Sequence, residues 1–432
     1  MTEIRPFRGL RYDPARVRPD DVVAPPYDVV GADDVAVLLA RSPYNAAHIE
    51  SCPGPETERF ERAAALLREW ISGGVVKRDD APAYYVYEQR ASIQGVVCER
   101  RCFFARLRLH APSDGIVRPH EATMSGPREE RLRLQRATRT NVSPIFAMFR
   151  DDSGDARATL ATVAAGTPAF DATDGLGDRH RLWVVTDHTT VARLTAALAA
   201  SKVTIADGHH RYATALTYLD ERAAAGALPD DAPERFVLTG LIPEDEPGLV
   251  ILPNHRLVRV DALPADFFDK LASLYEVERL DGWGAEAVRD LWARVQAGAA
   301  GAATFGLLDL GESRCFLLRG RSRTAIDAAM PQTLSPASRA LDARILTATI
   351  LDPALGIDAA ALSGGERVLF TASVDDAWQD PAGIGHRLAF LINPTRVEQV
   401  SAVADAGELM PQKTTFYYPK LATGMVFNPL VD

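Results

Sequence analysis

The sequence predicts a mixed α/β fold, and three observations carry that expectation. From Ser143 onward, apolar runs alternate with helix-forming stretches, the rhythm of strands layered against helices. Between Ala83 and Leu109, aromatic and β-branched residues accumulate in two runs that read as a strand pair. Val203-Thr204-Ile205-Ala206 then passes through Asp207-Gly208 toward the helix-forming segment Tyr212 to Ala225, a strand, glycine turn and helix in succession.

Taken in order, the first thirty residues are rich in proline and arginine. Ala24-Pro25-Pro26-Tyr27-Asp28 is expected as an ordered loop, because proline restricts both itself and its predecessor. Helices follow at Asp33 to Arg41 and Pro55 to Ile71; in the second, Phe60, Ala63, Ala64, Leu67 and Trp70 recur at helical spacing. The strand pair spans Ala83 to Gln89 and Val96 to Leu109, and a charged helix runs from Pro127 to Arg139 with proline in its first turn. Strands are expected at Pro144 to Phe149, Leu182 to Thr186, Phe236 to Ile242 and Leu249 to Leu252. Helices near Pro264 to Leu274 and Ala285 to Ala297 alternate with strands near Thr304 to Leu308 and Cys315 to Leu318. A domain boundary is expected near residue 260, separating 1–260 from 261–432.

With 432 residues, 47% hydrophobic and 25% charged, the chain has the composition of a globular protein of two or three domains. No stretch approaches the roughly 20 apolar residues that span a bilayer, and the start lacks a hydrophobic signal core, so a cytoplasmic location with no membrane partner is expected. A net charge of −10 argues against a surface that embraces nucleic acid. Cys52, Cys98, Cys102 and Cys315 are too scattered for a disulfide framework and read as reduced thiols.

Three segments concentrate chemistry. Asp207-Gly208-His209-His210-Arg211 joins a strand to a helix through glycine, which leaves backbone N–H groups pointing out of a helix N-terminus where the macrodipole favours negative charge. That is a seat for phosphate, with two imidazoles, a guanidinium and a carboxylate able to hold a hydrated magnesium ion. The same residues also suit a plainer role, Asp207 capping the helix and the histidines lying at the surface. In Arg118-Pro119-His120-Glu121-Ala122-Thr123, a carboxylate beside an imidazole and arginines makes Glu121, with His120, a candidate general base; a helix-terminal acid or ion-pair partner is the alternative. The HExxH zinc pattern fails, since Met124 stands where its second histidine belongs. Near the end, Lys413, Thr414 and Thr415 suit a phosphate or carboxylate, and Phe416, Tyr417 and Tyr418 can wall a pocket or form a closing strand. His255, after a strand and a proline, reads as pocket rim and substrate contact.

On these segments the chain resembles a large bacterial and archaeal family of unknown function. Its marks here are Pro6-Phe7-Arg8-Gly9, Val23-Ala24-Pro25-Pro26-Tyr27-Asp28-Val29, the His120-to-Thr123 segment, the Asp207-to-Tyr212 turn and the Pro411-to-Lys420 run. More distantly it resembles the ParB/sulfiredoxin superfamily, in which a glycine turn before a helix binds nucleotide phosphates, and within it the kinases that phosphorylate free L-serine from ADP or ATP. Those kinases carry a PHE segment, a DGHHR turn and a PKTT run ending in FNP. The corresponding residues are Pro119-His120-Glu121, Asp207 to Arg211, and Lys413-Thr414-Thr415 with Phe427-Asn428-Pro429.

The resemblance implies a ParB/sulfiredoxin-like nucleotide-binding core in 1–260 with a large insertion, and a C-terminal α/β region whose last segment returns to the site. It implies that Glu121 accepts the proton of an attacking hydroxyl, that Gly208, His209, His210 and Arg211 clamp phosphate, and that Asp207 holds magnesium or orients substrate. Lys413, Thr414 and Thr415 then hold a substrate carboxylate or a donor phosphate. The expected activity is transfer of phosphate from ADP or ATP to the hydroxyl of serine or a similar small acid; a homodimer is compatible with it. A nucleotide-gated ParB-like scaffold and a metal-dependent phosphatase with Asp207, His209 and His210 as ligands are the competing readings. Three departures bear on the acceptor more than on the phosphate seat: a long interval between Glu121 and Asp207, Gln412 between Pro411 and Lys413, and Tyr212 where an indole is expected.

Overall fold

The computed structural model describes residues 1–55, 58–93, 95–121, 125–299, 301–380 and 383–431. The fold is mixed α/β. The chain divides into two compact units: unit 1 comprises Met1–Pro119, Thr123–Val250 and Pro419–Asp432, and unit 2 comprises His120–Ala122 and Ile251–Tyr418.

Unit 1 is built on a nine-stranded sheet. Its strands are β1 (Ile4–Arg5), β2 (Tyr84–Ile93), β3 (Val96–Arg108), β4 (Val117–Arg118), β5 (Ile145–Phe149), β6 (Phe170–Thr173), β7 (Arg179–Val185), β8 (Val203–Asp207) and β9 (Phe236–Pro243). They lie in the order β4-β8-β5-β9-β3-β2-β7-β6, with β1 added against β3. Most pairings are antiparallel, but β8 runs parallel to β4 and β9 parallel to β5. The longer helices are α1 (Ala32–Arg41), α2 (Arg59–Ser72), α3 (Ser125–Thr138), α4 (Asp155–Ala164), α5 (His188–Ala199) and α6 (His209–Ala225).

Alternate residues of the strands, among them Val86, Phe103, Ala105, Ile145, Ala147, Val203 and Ile205, form one core with Leu160 of α4, Leu194 and Leu198 of α5, and Tyr212 and Ala215 of α6. This is the period-two pattern of a sheet covered by helices. The C-terminal segment packs on unit 1 as well: Phe427 is fully buried, Asn428 Nδ2 donates to Asn141 Oδ1 at 2.8 Å, and a Cβ at Gly240 would meet Leu421 Cδ1 at 2.6 Å.

Unit 2 centres on a six-stranded sheet of β10 (His255–Val258), β11 (Tyr275–Leu280), β12 (Thr304–Asp309), β13 (Arg314–Gly320), β14 (Val368–Thr371) and β15 (Leu388–Leu391), in the order β11-β13-β12-β15-β10-β14. All its pairings are antiparallel. Neighbouring strand residues separate onto two faces. Val258, Leu307 and Leu318 join one core with Phe267 and Leu271 of α7 (Phe267–Leu274), while Leu257, Leu308 and Leu317 join another with Leu291 of α8 (Ala285–Ala297). Two further helices frame this unit, α9 (Asp342–Leu346) and α10 (Val397–Asp405). Among the described residues, no helix is long and apolar enough to cross a membrane.

Candidate functional site

The site residues expected from the sequence fall into two groups, one in each unit. In unit 1, β8 is buried along its length and enters the sheet beside β4 and β5, with a register shift at its end where Asp207 faces Phe146. Gly208 follows at φ 89° and ψ 29°, the left-handed region that glycine enters without steric cost. It is also the N-cap of the 17-residue α6. A second constraint acts on Gly208: a Cβ there would sit 3.1 Å from Arg211 Nε and 3.1 Å from Ile145 Cγ2. His209 and His210 occupy the first helical positions and are half-buried.

Asp207 is held between two cations. Its Oδ1 accepts from Lys420 Nζ, and its Oδ2 accepts from Arg211 Nη2 at 2.6 Å. Burial pushes this carboxyl up, but Lys420 and Arg211 outweigh burial and hold it well below the usual carboxylate range. Magnesium was expected at Asp207; both oxygens face cations that a divalent ion would have to displace, so the arrangement does not fit that role. Among the described residues, no group of three or more His, Cys, Asp or Glu side chains is arranged to hold a metal ion. The ligand set of Asp207, His209 and His210 that a hydrolase needs is therefore not formed among them.

Arg211, expected to clamp phosphate directly, turns inward. It is buried, donates from Nη1 to the Pro144 carbonyl and from Nη2 to Asp207, and lies 4.0 Å from Asp28. Burial lowers its pKa, but Asp207 and Asp28 prevail and raise it. The proline-rich N-terminal loop thus meets the turn through Asp28. Its Tyr27 ring sits 4.0 Å from the guanidinium of Arg131, which is 3.7 Å from Glu50.

Lys420, and not the Lys413 expected from the sequence, is the lysine that meets the turn. It is delivered by its own main chain: Gln89 Nε2 donates to the Lys420 carbonyl at 2.8 Å, and Arg100 Nη2 donates to the Pro419 carbonyl and to Gln89 Oε1 at 2.8 Å. Arg100 is buried with its guanidinium over the Phe146 ring. The only sequence signal for Lys420 was its place at the end of the C-terminal run.

In unit 2, His120 is fully buried and Glu121 half-buried; Ala122, Thr123 and Met124 lie outside the described residues. Main-chain pairing fixes the two, with Met410 N donating to the His120 carbonyl at 2.7 Å. Thr415 Oγ1 joins their side chains, 2.8 Å from His120 Nε2 and 3.3 Å from Glu121 Oε1. Thr414, expected to bind substrate, is buried and committed to a turn: its Oγ1 donates to the Pro411 carbonyl at 2.5 Å. Lys413 sits at φ 59° with an exposed side chain, and its carbonyl accepts from Asn254 Nδ2 at 2.8 Å and Arg256 Nη2 at 3.3 Å.

His255 requires a correction. Its ring lies in the core of unit 2, 5.0 Å from the Trp292 ring, and its Nδ1 accepts from Ile392 N at 3.3 Å. Burial, with Arg256 adding to it, pushes the imidazole down to about 3. Its neighbour Arg256 is the residue that reaches Lys413 and feels the charge of Glu121. Burial lowers the Arg256 guanidinium to about 10 against that attraction.

The sequence model of a family described as "Protein of unknown function (DUF1015)" matches residues 4–344. No curated protein matches the chain. Among solved structures, the chain is similar to a free serine kinase variant in complex with ADP, at 13% identity and TM-score 0.36, over 73% of this chain and 87% of the other. It is similar to another such variant in complex with AMP, at 12% identity and TM-score 0.35, over 73% and 87%. A conserved hypothetical protein from Pyrococcus furiosus matches at 14% identity and TM-score 0.33, over 73% and 90%. Superpositions this loose carry no functional argument.

Proposed function

The chain belongs to that family of unknown function, and we propose that it is a phosphotransferase that moves phosphate from ADP or ATP to the hydroxyl of free serine or a similar small hydroxy acid. The observation that carries this reading is the Gly208 turn: a left-handed glycine opens a 17-residue helix directly after a buried strand, and Lys420 and Arg211 converge on the preceding carboxylate. Helix-terminal N–H groups and fixed cations suit phosphoryl oxygens, and phosphoryl transfer depends chiefly on positioning and charge neutralisation. The order of the three motif segments, shared with the free-serine kinases, supports the same reading.

In this assignment the turn amides, His209, His210 and Lys420 take the donor phosphates, while Arg211 acts through Asp207 by bracing it. The acceptor oxygen attacks the terminal phosphorus as the bond to the nucleotide oxygen breaks. Its proton passes to the Glu121 carboxylate, which Thr415 and His120 orient. The negative charge left on the departing oxygen falls to the amides and cations of the turn. Lys413, with its exposed ammonium, takes the acceptor's carboxylate.

Purified protein incubated with labelled ADP or ATP and a panel of small hydroxy acids tests the reading. Glu121→Gln is expected to lower transfer by about 10²–10⁴-fold while nucleotide affinity stays unchanged. Undiminished turnover in that variant would remove Glu121 from the chemistry.

A further inference from the structure

Unit 2 contains a cavity of about 900 Å³ that the proposed transfer does not use, a size at the upper end for small-ligand sites. Its walls are mixed: Ala302, Ile326, Ile345 and Pro394 are among the apolar residues, and Arg323, Asp342, Asn393, Arg396 and Glu398 line it as well. One ion pair at its edge is already satisfied: Arg339 Nε donates to Asp327 Oδ1 at 2.7 Å.

Asp342 and Arg396 differ from that pair. They line the same cavity and carry opposite charges, yet among the described residues neither forms an ion pair, with the other or with any third group. Both are fixed by their elements. Asp342 is the first residue of α9, which continues through the π-helical turn Thr347–Leu351, an irregularity that recurs at functional sites. Arg396 is the N-cap of α10, its main-chain N–H donating to Gln399 Oε1 at 3.0 Å. Asn393 is anchored from the other side, with Nδ2 donating to the Val295 carbonyl at 3.1 Å.

A carboxylate and a guanidinium that line one cavity without pairing leave room for a molecule that carries the complementary charges. Burial pushes the Asp342 carboxyl up to about 6, opposed by Arg396 and by a hydrogen bond from Asn393; Tyr275 also feels its charge and has its own pKa raised mainly by burial, and Arg323, Asp327, Arg339 and Glu398 are the other charged groups of the lining. Keeping a desolvated carboxylate costs stability, and a bound cation offsets that cost.

We propose that this cavity binds a small zwitterion with an apolar body, an amino acid with a large apolar side chain or a short apolar peptide, its ammonium at Asp342 and its carboxylate at Arg396. The inference is independent of the transferase reading. Its elements are a charge-complementary pair and a cavity of about 900 Å³, too large for a serine-sized molecule to fill.

Calorimetric titration of the full chain with L-phenylalanine and L-leucyl-L-leucine tests it, alongside the N-acetylated and C-amidated forms of each. Binding is expected for at least one free zwitterion and is expected to weaken about tenfold or more on either capping, in Asp342→Asn and in Arg396→Gln. It should persist in Glu121→Gln, so that loss of transfer and loss of this site are read separately. It should also weaken as pH falls through about 6, where Asp342 takes up a proton. Equal affinity for the N-acetylated probe, unchanged binding in both variants, or no binding of any free zwitterion at millimolar concentration overturns the proposal. Thermal unfolding of Asp342→Asn at neutral pH confirms that a loss of binding is not a loss of fold.

Discussion

Gly208 shows how much one residue decides here. Its φ of 89° excludes a β-carbon without strain, and the Arg211 guanidinium, 3.1 Å from where one would sit, would have to shift by a few tenths of an ångström to admit it. Gly208→Ala is expected to cost about 1–3 kcal/mol, read as a lower urea midpoint with an unchanged slope. Lys420 and Asp207 make a second residue-scale case. Removing the ammonium in Lys420→Met takes one of the two cations bonded to the Asp207 carboxylate, at a cost of about 3–5 kcal/mol at neutral pH. The sign of its pH dependence follows from the depressed Asp207 pKa. The stability that the pair contributes is present above the unfolded carboxyl pKa and is lost as pH falls through the folded one. The gap between wild type and Lys420→Met should therefore narrow below about pH 4; a gap independent of pH would show that the ion pair is not its source.

At the scale of elements, the helices and strands with clear periodicity were legible. The 17-residue α6 and the thirteen-residue β3 lie where their apolar patterns put them. Strands β11, β14 and β15 were not legible, because Tyr275–Leu280 alternates charge with apolar residues and the other two are four residues each. Strand alternation also explains the exchange between His255 and Arg256. Adjacent residues of β10 point to opposite faces, so one enters the core beside Trp292 and the other turns toward Lys413, a choice fixed by register. Nuclear magnetic resonance of His255 should show no titration between about pH 5 and 9, since burial holds its folded pKa near 3. A neutral buried imidazole favours the unfolded state in acid, so this residue contributes a loss of stability that begins as pH falls below its unfolded value near 6.5. A titration midpoint near neutrality would place His255 in water instead.

For the whole molecule, the C-terminal segment is a structural member of unit 1. Pro419–Asp432 belongs to it, and Leu421, Met425, Val426, Phe427 and Leu430 are all buried. Each such side chain stabilises the fold by about 1.5–3 kcal/mol, and together they approach the entire stability of an ordinary domain. A chain truncated after Tyr418 is expected to lose the cooperative unfolding of unit 1, seen by circular dichroism and rapid proteolysis; a truncated chain that melts as the full one does would show the segment to be dispensable.

The sequence by itself determined the fold class, the strand–glycine–helix turn and the residue types gathered there, because these depend on periodicity and on local backbone sterics. Only the tertiary structure decided the partners. Lys420 meets Asp207 across 213 residues of chain, and Thr415 meets Glu121 across 294. No local pattern encodes such contacts; they follow from how sheets register and how the last segment packs, which is settled when the cores close.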